Sequence, residues 1–158
     1  MALITSNSTC LAQEINALEK NEMIMKWSHA KRHIQFEIEA PTKGWVAIGF
    51  NQSSKLSGTY LIMGAVKGSK VIIKEHYVFE PGDYRSFDEI GIESNLKNID
   101  GIQSSSKTTI RFSLPNDLMT RYTQLLSKDA TFNILMAYSS SDDFTHHSMM
   151  RTNVNFKL

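Results

Sequence analysis

The sequence predicts an all-β fold, an antiparallel β-sandwich with at most one or two short helices. Short apolar segments recur along the chain, and Gly, Pro, Asn or Asp turn signals separate them at intervals of about eight to twelve residues. Segments with helical spacing are few. The 158 residues fit one domain that is large enough to bury a core.

The segment from Gly44 to Asn51 is the strand around which the rest of the chain is organised. Side chains of a strand alternate between its two faces, so Trp45 and Ala47 share one face while Ile48 and Phe50 share the other. Both faces are apolar. We therefore expect this strand to be covered on both sides.

Seven further segments have the pattern of strands. The clearest alternation runs from His33 to Glu39, and its short connection to the central strand predicts an antiparallel meander. An irregular hairpin is expected from Asn95 to Gln103, and the spacing of Leu118 to Leu126 predicts one short helix. The seven strand segments are Met23 to Trp27, His33 to Glu39, Thr59 to Val66, Lys70 to Phe79, Thr108 to Leu114, Thr131 to Tyr138 and Asn153 to Leu158.

The N-terminal residues 1–21 are polar and are expected to form a lead-in, either a short helix or disordered, before a single domain over residues 22–158. Cys10 is the one cysteine, which excludes an internal disulfide and a multi-cysteine zinc site. Met1 to Thr5 lacks the basic and apolar regions of a signal peptide, so we expect that an exported form has lost its signal.

Charge and hydropathy argue against two classes of partner. The net charge of +1 gives no global field that would favour nucleic acid. The longest apolar runs, such as Tyr60 to Val66, are far too short to span a bilayer.

The polar cluster from Asp142 to Arg151 is the most informative candidate site. It lies between two predicted strands and combines two histidines, two methionines, two carboxylates and an arginine. Neutral imidazole binds iron, zinc or copper, and thioether suits haem iron or copper. On an extended chain His146 and His147 point to opposite sides, so one of them would serve a given pocket. A polar surface loop, with one histidine against Phe144, is the alternative interpretation.

Other histidines and methionines have simpler interpretations. His29 and His33 flank a turn and are expected to be exposed, whereas His76 lies mid-strand and is expected to be partly buried and hydrogen-bonded. Met63 lies on an apolar strand, where a core position is the simpler interpretation. No phosphate loop, zinc-protease helix, nucleophile elbow or paired-cysteine motif occurs, and no nucleophile–base pair emerges. An enzyme in its own right is therefore the least favoured class.

Several of these segments together resemble the DOMON domain family. The resemblance spans about Met23 to Leu158, and its most specific part is the strand Gly44 to Asn51. The remaining parts match by order and spacing. They are Trp27, the alternating Ile34, Phe36 and Ile38, the stretch Leu56 to Gly64, and the closing segment Ala137 to Arg151.

The resemblance implies an immunoglobulin-like or DOMON-like β-sandwich that acts as a binding module. Such modules are usually extracytoplasmic, so it also implies an exported protein, whether periplasmic, secreted or at the cell surface. Some members hold b-type haem between a methionine and a histidine and pass electrons to a redox partner protein. Others lack haem, and related folds bind sugars or other small molecules.

The resemblance assigns ligands residue by residue. His147 matches the ligand histidine, because Arg151 follows it at the family's spacing, but Leu56 stands where the family has its axial methionine. Leucine cannot bind iron. Haem would then be bound by His147 with Met63, Met149 or Met150, or by His147 alone, or the pocket would serve another ligand.

Two hypotheses follow for function, and a third class stays open. The first is a haem-binding module for electron transfer or sensing, in which Trp45, Phe50 and Tyr138 form apolar walls and Arg151 pairs with a haem propionate. The second is a haem-free module for a carbohydrate-like or other small ligand. The third is a structural or partner-binding domain.

Overall fold

The structure is a computed structural model that describes residues 12–158 as two antiparallel sheets packed face to face. Predictions for the preceding residues, including the one on Cys10, lie outside the described residues. The eleven strands are β1 Asn16–Lys20, β2 Met23–His29, β3 His33–Ala40, β4 Val46–Asn51, β5 Tyr60–Lys67, β6 Lys70–Glu80, β7 Asp83–Ser86, β8 Lys97–Gln103, β9 Thr108–Pro115, β10 Thr131–Tyr138 and β11 Met150–Lys157.

The strands form one sheet of five and one of six. The five-stranded sheet has the order β1-β2-β3-β9-β8, and the six-stranded sheet has the order β11-β10-β4-β5-β6-β7. The predicted all-β antiparallel sandwich is confirmed. Residues 12–158 contain no helix of the length and apolarity that a membrane crossing requires.

The main core lies between the two sheets and takes side chains from both of them. From β3 it receives Ile34, Phe36 and Ile38, and from β4 it receives Ile48 and Phe50. The rings of Phe36 and Phe50 meet across the sheets with centroids 5.7 Å apart. The alternation of β3 therefore predicted its inward face correctly.

Every residue of β4 is buried, as the two apolar faces predicted. Its even-numbered side chains enter the main core, whereas Ala47, with the preceding Trp45, belongs to a second apolar cluster on the outer face of the six-stranded sheet. The outer cluster forms the floor of a cavity.

The corner between β3 and β4 moves the chain from one sheet to the other. The predicted meander is wrong at this point, since β3 pairs with β2 and β9 while β4 pairs with β5 and β10. Thr42 stabilises the corner by donating its Oγ1 hydrogen to the Ser139 carbonyl (2.5 Å), and its own carbonyl accepts from Thr108 Oγ1 (2.9 Å). A methyl group at Gly44 would overlap the backbone of residues 139–141, so the close approach requires glycine there.

Three segments differ from their sequence-based interpretation. The irregular hairpin expected from Asn95 to Gln103 is instead occupied by one strand, β8, which pairs with β9. Asn16–Lys20 belongs to the sandwich as β1, paired with β2, although the sequence placed it in the lead-in. Leu118 to Leu126 forms no helix, because threonine hydroxyls bind the backbone locally. The Thr120 amide donates to Thr123 Oγ1 (2.9 Å), and the Tyr122 amide donates to Thr120 Oγ1 (3.2 Å). Such local side-chain bonds compete with the helical ladder.

A buried carboxylate secures the β6 side of the core. Glu75 is 1% exposed and accepts four hydrogen bonds. They come from Tyr60 Oη (2.5 Å), Ser94 Oγ (2.8 Å), and the Asn95 amide and Nδ2 (2.6 and 3.0 Å). Glu75 thereby ties β5 and β6 to the segment before β8.

Candidate functional site

A cavity of about 620 Å³ lies over the outer face of the six-stranded sheet. Its volume falls in the range of small-molecule and cofactor sites. Its floor is the outer apolar cluster, and its walls come from the β10–β11 loop, from β6 and β7, and from the loop after β4. The floor consists of Trp45, Ala47, Leu61, Met63, Leu135 and Ala137.

Strand register explains why this floor is apolar and why it leaves space above the sheet. Ala137 pairs with Ala47, and Ala47 pairs with Met63, so these side chains form one transverse row on the outer face. Two of the three are alanines, which leave space above the sheet. The next row contains Gly49, where a methyl group would meet Thr59 Cγ2 at 2.5 Å.

The transverse row that contains Ala47 has a cationic side chain at each end. Arg151 of β11 pairs with Ala137, and Lys74 of β6 pairs with Met63. Four strand spacings separate the two cations, a Cα span of roughly 19 Å at about 4.8 Å per strand. Lys74 forms an ion pair with Asp88 (2.9 Å), whereas Arg151 has no ion-pair partner within residues 12–158. Arg151 is therefore the cation available to an anionic ligand.

The β10–β11 loop is anchored to the corner between the sheets. Ser139 is fully buried, and its Oγ donates to the His147 carbonyl (2.9 Å). Its own carbonyl accepts from Thr42 Oγ1 (2.5 Å). A chain of two hydrogen bonds thus fixes the position of His147 relative to the start of β4.

Both histidines of this loop line the cavity. The expectation that His146 would point away is not met, because the chain turns at this point instead of running extended. Asp143 makes the turn: its carbonyl accepts from the His146 amide (3.0 Å), and its Oδ1 accepts from the Thr145 amide (2.9 Å) and hydroxyl (2.8 Å). Both imidazoles are exposed at the rim of the cavity.

The opposite wall contains a third histidine, His76, which is 4% exposed. Its ring contacts those of Tyr84 and Phe144 edge to face, with centroid distances of 5.9 and 5.8 Å. Burial lowers the pKa of His76 to about 4, so its imidazole is neutral at physiological pH. The partly buried, hydrogen-bonded state was expected, but the position in the site was missed. The alternation of β6 gives the signal, since Lys74, His76 and Val78 share the outer face.

The loop after β4 brings Leu56 to the same cavity. Asn51 holds this loop, since its Nδ2 donates to the Lys55 carbonyl (2.9 Å) and the Ser57 carbonyl (3.0 Å). Leu56 then packs against the outer apolar cluster. Leu56 and His147, the two positions where the family resemblance places axial ligands, therefore face one cavity.

Four of the six residues proposed from the sequence line the cavity, and two do not. Trp45, Met63, His147 and Arg151 are lining residues. Phe50 and Tyr138 lie in the main core instead and are not among the lining residues. The reason is that alternate residues of a strand point to opposite faces of the sheet, and Phe50 and Tyr138 lie on the inward face.

Register confirms that explanation. Tyr138 of β10 pairs with Val46 of β4, so its side chain lies on the same inward face of the sheet as that of Phe50. Trp45 is on the other face. The sequence already placed Trp45 and Phe50 on opposite faces, so they could not have been walls of one pocket.

The polar groups at the cavity suit an amphipathic, anionic ligand. The floor offers apolar contact, and Arg151 offers a cation. The indole N–H of Trp45 is buried and has no hydrogen-bond partner within the described residues, and a buried donor without a partner is costly.

Comparisons with known proteins give a family and a fold. The family model described as DOMON domain matches residues 19–139. Among curated proteins, none matches the chain.

Two solved structures have a similar fold. The cytochrome b domain of pyranose dehydrogenase from Coprinopsis cinerea superposes with a TM-score of 0.61 at 15% identity, covering 89% of this chain and 80% of that one. The cytochrome domain of Myriococcum thermophilum cellobiose dehydrogenase gives a TM-score of 0.55 at 10% identity, with 89% and 77% covered. At these identities the similarity concerns the fold.

Proposed function

Because the chain belongs to the DOMON domain family, we propose that it binds b-type haem in the outer-face cavity and acts in electron transfer or sensing. One observation carries the proposal. His147 and Leu56, which lie far apart in the sequence, meet at a single cavity of about 620 Å³ whose floor is apolar. These are the two positions where the resemblance places haem ligands.

The residues at the cavity fit haem in three respects. His147 is an imidazole at the rim, where it would bind the iron. Arg151 would pair with a propionate, since a guanidinium forms strong bonds with carboxylates. Trp45, with Ala47 and Ala137, would contact the macrocycle. Bound haem would supply one-electron chemistry, with its potential set by the axial ligands.

An accessory role in a redox system follows from this proposal. The two solved structures named above are cytochrome domains of dehydrogenases. We propose that this chain likewise serves a redox partner protein and works outside the cytoplasm. The chemistry of substrate oxidation would then belong to the partner.

A haem-free binding module is the second candidate, and Leu56 favours it. A leucine at the methionine position removes one iron ligand but leaves a cavity with an apolar floor. A carbohydrate-like or other small ligand would use the same floor and rim.

Haemin titration of the purified protein tests the first candidate. A sharp Soret band that saturates at one equivalent is expected. His147→Ala should weaken binding by about ten-fold or more, since a factor of ten corresponds to 1.4 kcal/mol. His33→Ala, on the other sheet, is the matched control and should leave the titration unchanged. A flat titration of the wild type would end the haem proposal, and a thermal-shift response to a sugar would then support the second candidate.

A further inference from the structure

His76 is placed to act on the same ligand as His147. It lies on β6 opposite Leu61, one row from Met63, and forms part of the wall that faces the β10–β11 loop. Phe144, three residues before His147, packs its ring on the His76 imidazole with a centroid distance of 5.8 Å. The loop that carries one histidine therefore rests directly on the other.

The hydrogen bond of the His76 ring determines which nitrogen is free. Nδ1 lies 3.2 Å from the Lys74 carbonyl oxygen. A carbonyl can only accept, so Nδ1 carries the hydrogen and Nε2 holds the lone pair. A bond of this kind, from the second ring nitrogen to a backbone carbonyl, orients the histidines that bind metals in proteins.

The ring is also held in place by its neighbours. Tyr84 and Phe144 contact it edge to face, and Tyr84 Oη donates to the Phe144 carbonyl, which joins the two sides of the clamp. An oriented imidazole with a free lone pair is the form that binds iron.

We propose that His76 Nε2 is the second protein ligand of the haem iron. It would replace the methionine ligand that the family has at the position of Leu56. This rests on the proposed function and names the ligand that the resemblance leaves open. The site is then a bis-histidine haem site formed by β6 and the β10–β11 loop. Met63 is the weaker candidate, since its side chain is packed in the floor and is 2% exposed.

Spectroscopy of the haemin-loaded full chain tests the proposal. The ferric wild type should give a low-spin, six-coordinate absorption spectrum, with the electron paramagnetic resonance and near-infrared magnetic circular dichroism of bis-imidazole ligation. His76→Ala should lose the low-spin bands and become high-spin while a Soret band persists through His147. Added imidazole should restore the low-spin spectrum of His76→Ala, and His33→Ala should match the wild type.

His76→Met provides a second variant in case the alanine disturbs the wall. It should keep the low-spin state and raise the reduction potential, because a thioether ligand favours ferrous haem. Circular dichroism melting of each variant checks that the sandwich is intact. The His76 proposal is overturned by a Soret band with a high-spin wild-type spectrum, or by a low-spin spectrum that His76→Ala leaves unchanged. Either result leaves haem binding in place, whereas absence of any Soret band ends both proposals.

Discussion

Replacing Ser139 by alanine is expected to loosen the loop that carries His147 without disturbing the rest of the sandwich. The side chain is fully buried, and its Oγ donates to the His147 carbonyl (2.9 Å) and accepts from the Ser141 amide (3.3 Å). Each of the two bonds contributes about 0.5–1.5 kcal/mol net, so the variant should lose about 1–3 kcal/mol of unfolding free energy. For a domain of this size that is a fall in Tm of about 2–12 °C.

Differential scanning calorimetry and haemin titration provide the two measurements. Ser141→Ala is the matched control, since its Oγ accepts one exposed bond, from the Asp143 amide (3.1 Å), and its loss should cost less than about 0.5 kcal/mol. Haemin affinity of Ser139→Ala should fall by up to about five-fold, because the loop must be ordered on binding. Equal melting temperatures for the two variants would refute the anchoring role of Ser139.

Three further substitutions test the core, the buried carboxylate and the methionine position. Phe50→Ala should lower the free energy of unfolding in urea by about 3–5 kcal/mol, because it leaves a cavity in the main core. Phe79 is 36% exposed, so Phe79→Ala should lower it by about 1 kcal/mol or less. Similar losses would contradict the assigned positions. Glu75→Ala leaves four donors without their acceptor and should cost at least about 3 kcal/mol, and a loss below 1 kcal/mol would show that the network is not stabilising. In the His76→Ala background, Leu56→Met should restore a low-spin haem spectrum and raise the potential, and a persistently high-spin spectrum would mean that position 56 cannot reach the iron.

Period-two patterns predicted most of the sandwich, since a strand with one or two apolar faces gives a strong local signal. The short strand β1 was missed because Asn16–Lys20 is polar except for a few side chains, and its place in the sheet is set by pairing with β2. The helix expected at Leu118 to Leu126 was wrong for the opposite reason. Its apolar spacing is helical, but threonine hydroxyls satisfy the backbone locally.

The candidate site was predictable where a sequence position implies a face of the sheet. Parity identifies Trp45 and Met63 as outer-face residues, and it would have excluded Phe50 from the same pocket. His76 could not be placed in the site from the sequence, because a mid-strand histidine is most simply a buried, hydrogen-bonded residue. Its position follows from the sheet order, which places β6 beside β5, and from the β10–β11 loop, which folds over it. That closure depends on contacts between distant segments, which no local pattern encodes.

Burial of the six-stranded sheet on both faces places two independent sets of constraints on alternating positions of the same strands. On β4, substitutions at residues 46, 48 and 50 bear on folding. Residue 47, with Trp45 just before the strand, lines the cavity and would bear on the proposed ligand. Evolution could therefore retune what the cavity binds while leaving the fold's core untouched. Insertion of a single residue in β4 would move the core side chains to the outer face and the cavity side chains to the core, which would damage both at once. In a lineage of such domains we therefore expect length changes in the loops and specificity changes at every second residue of the strands.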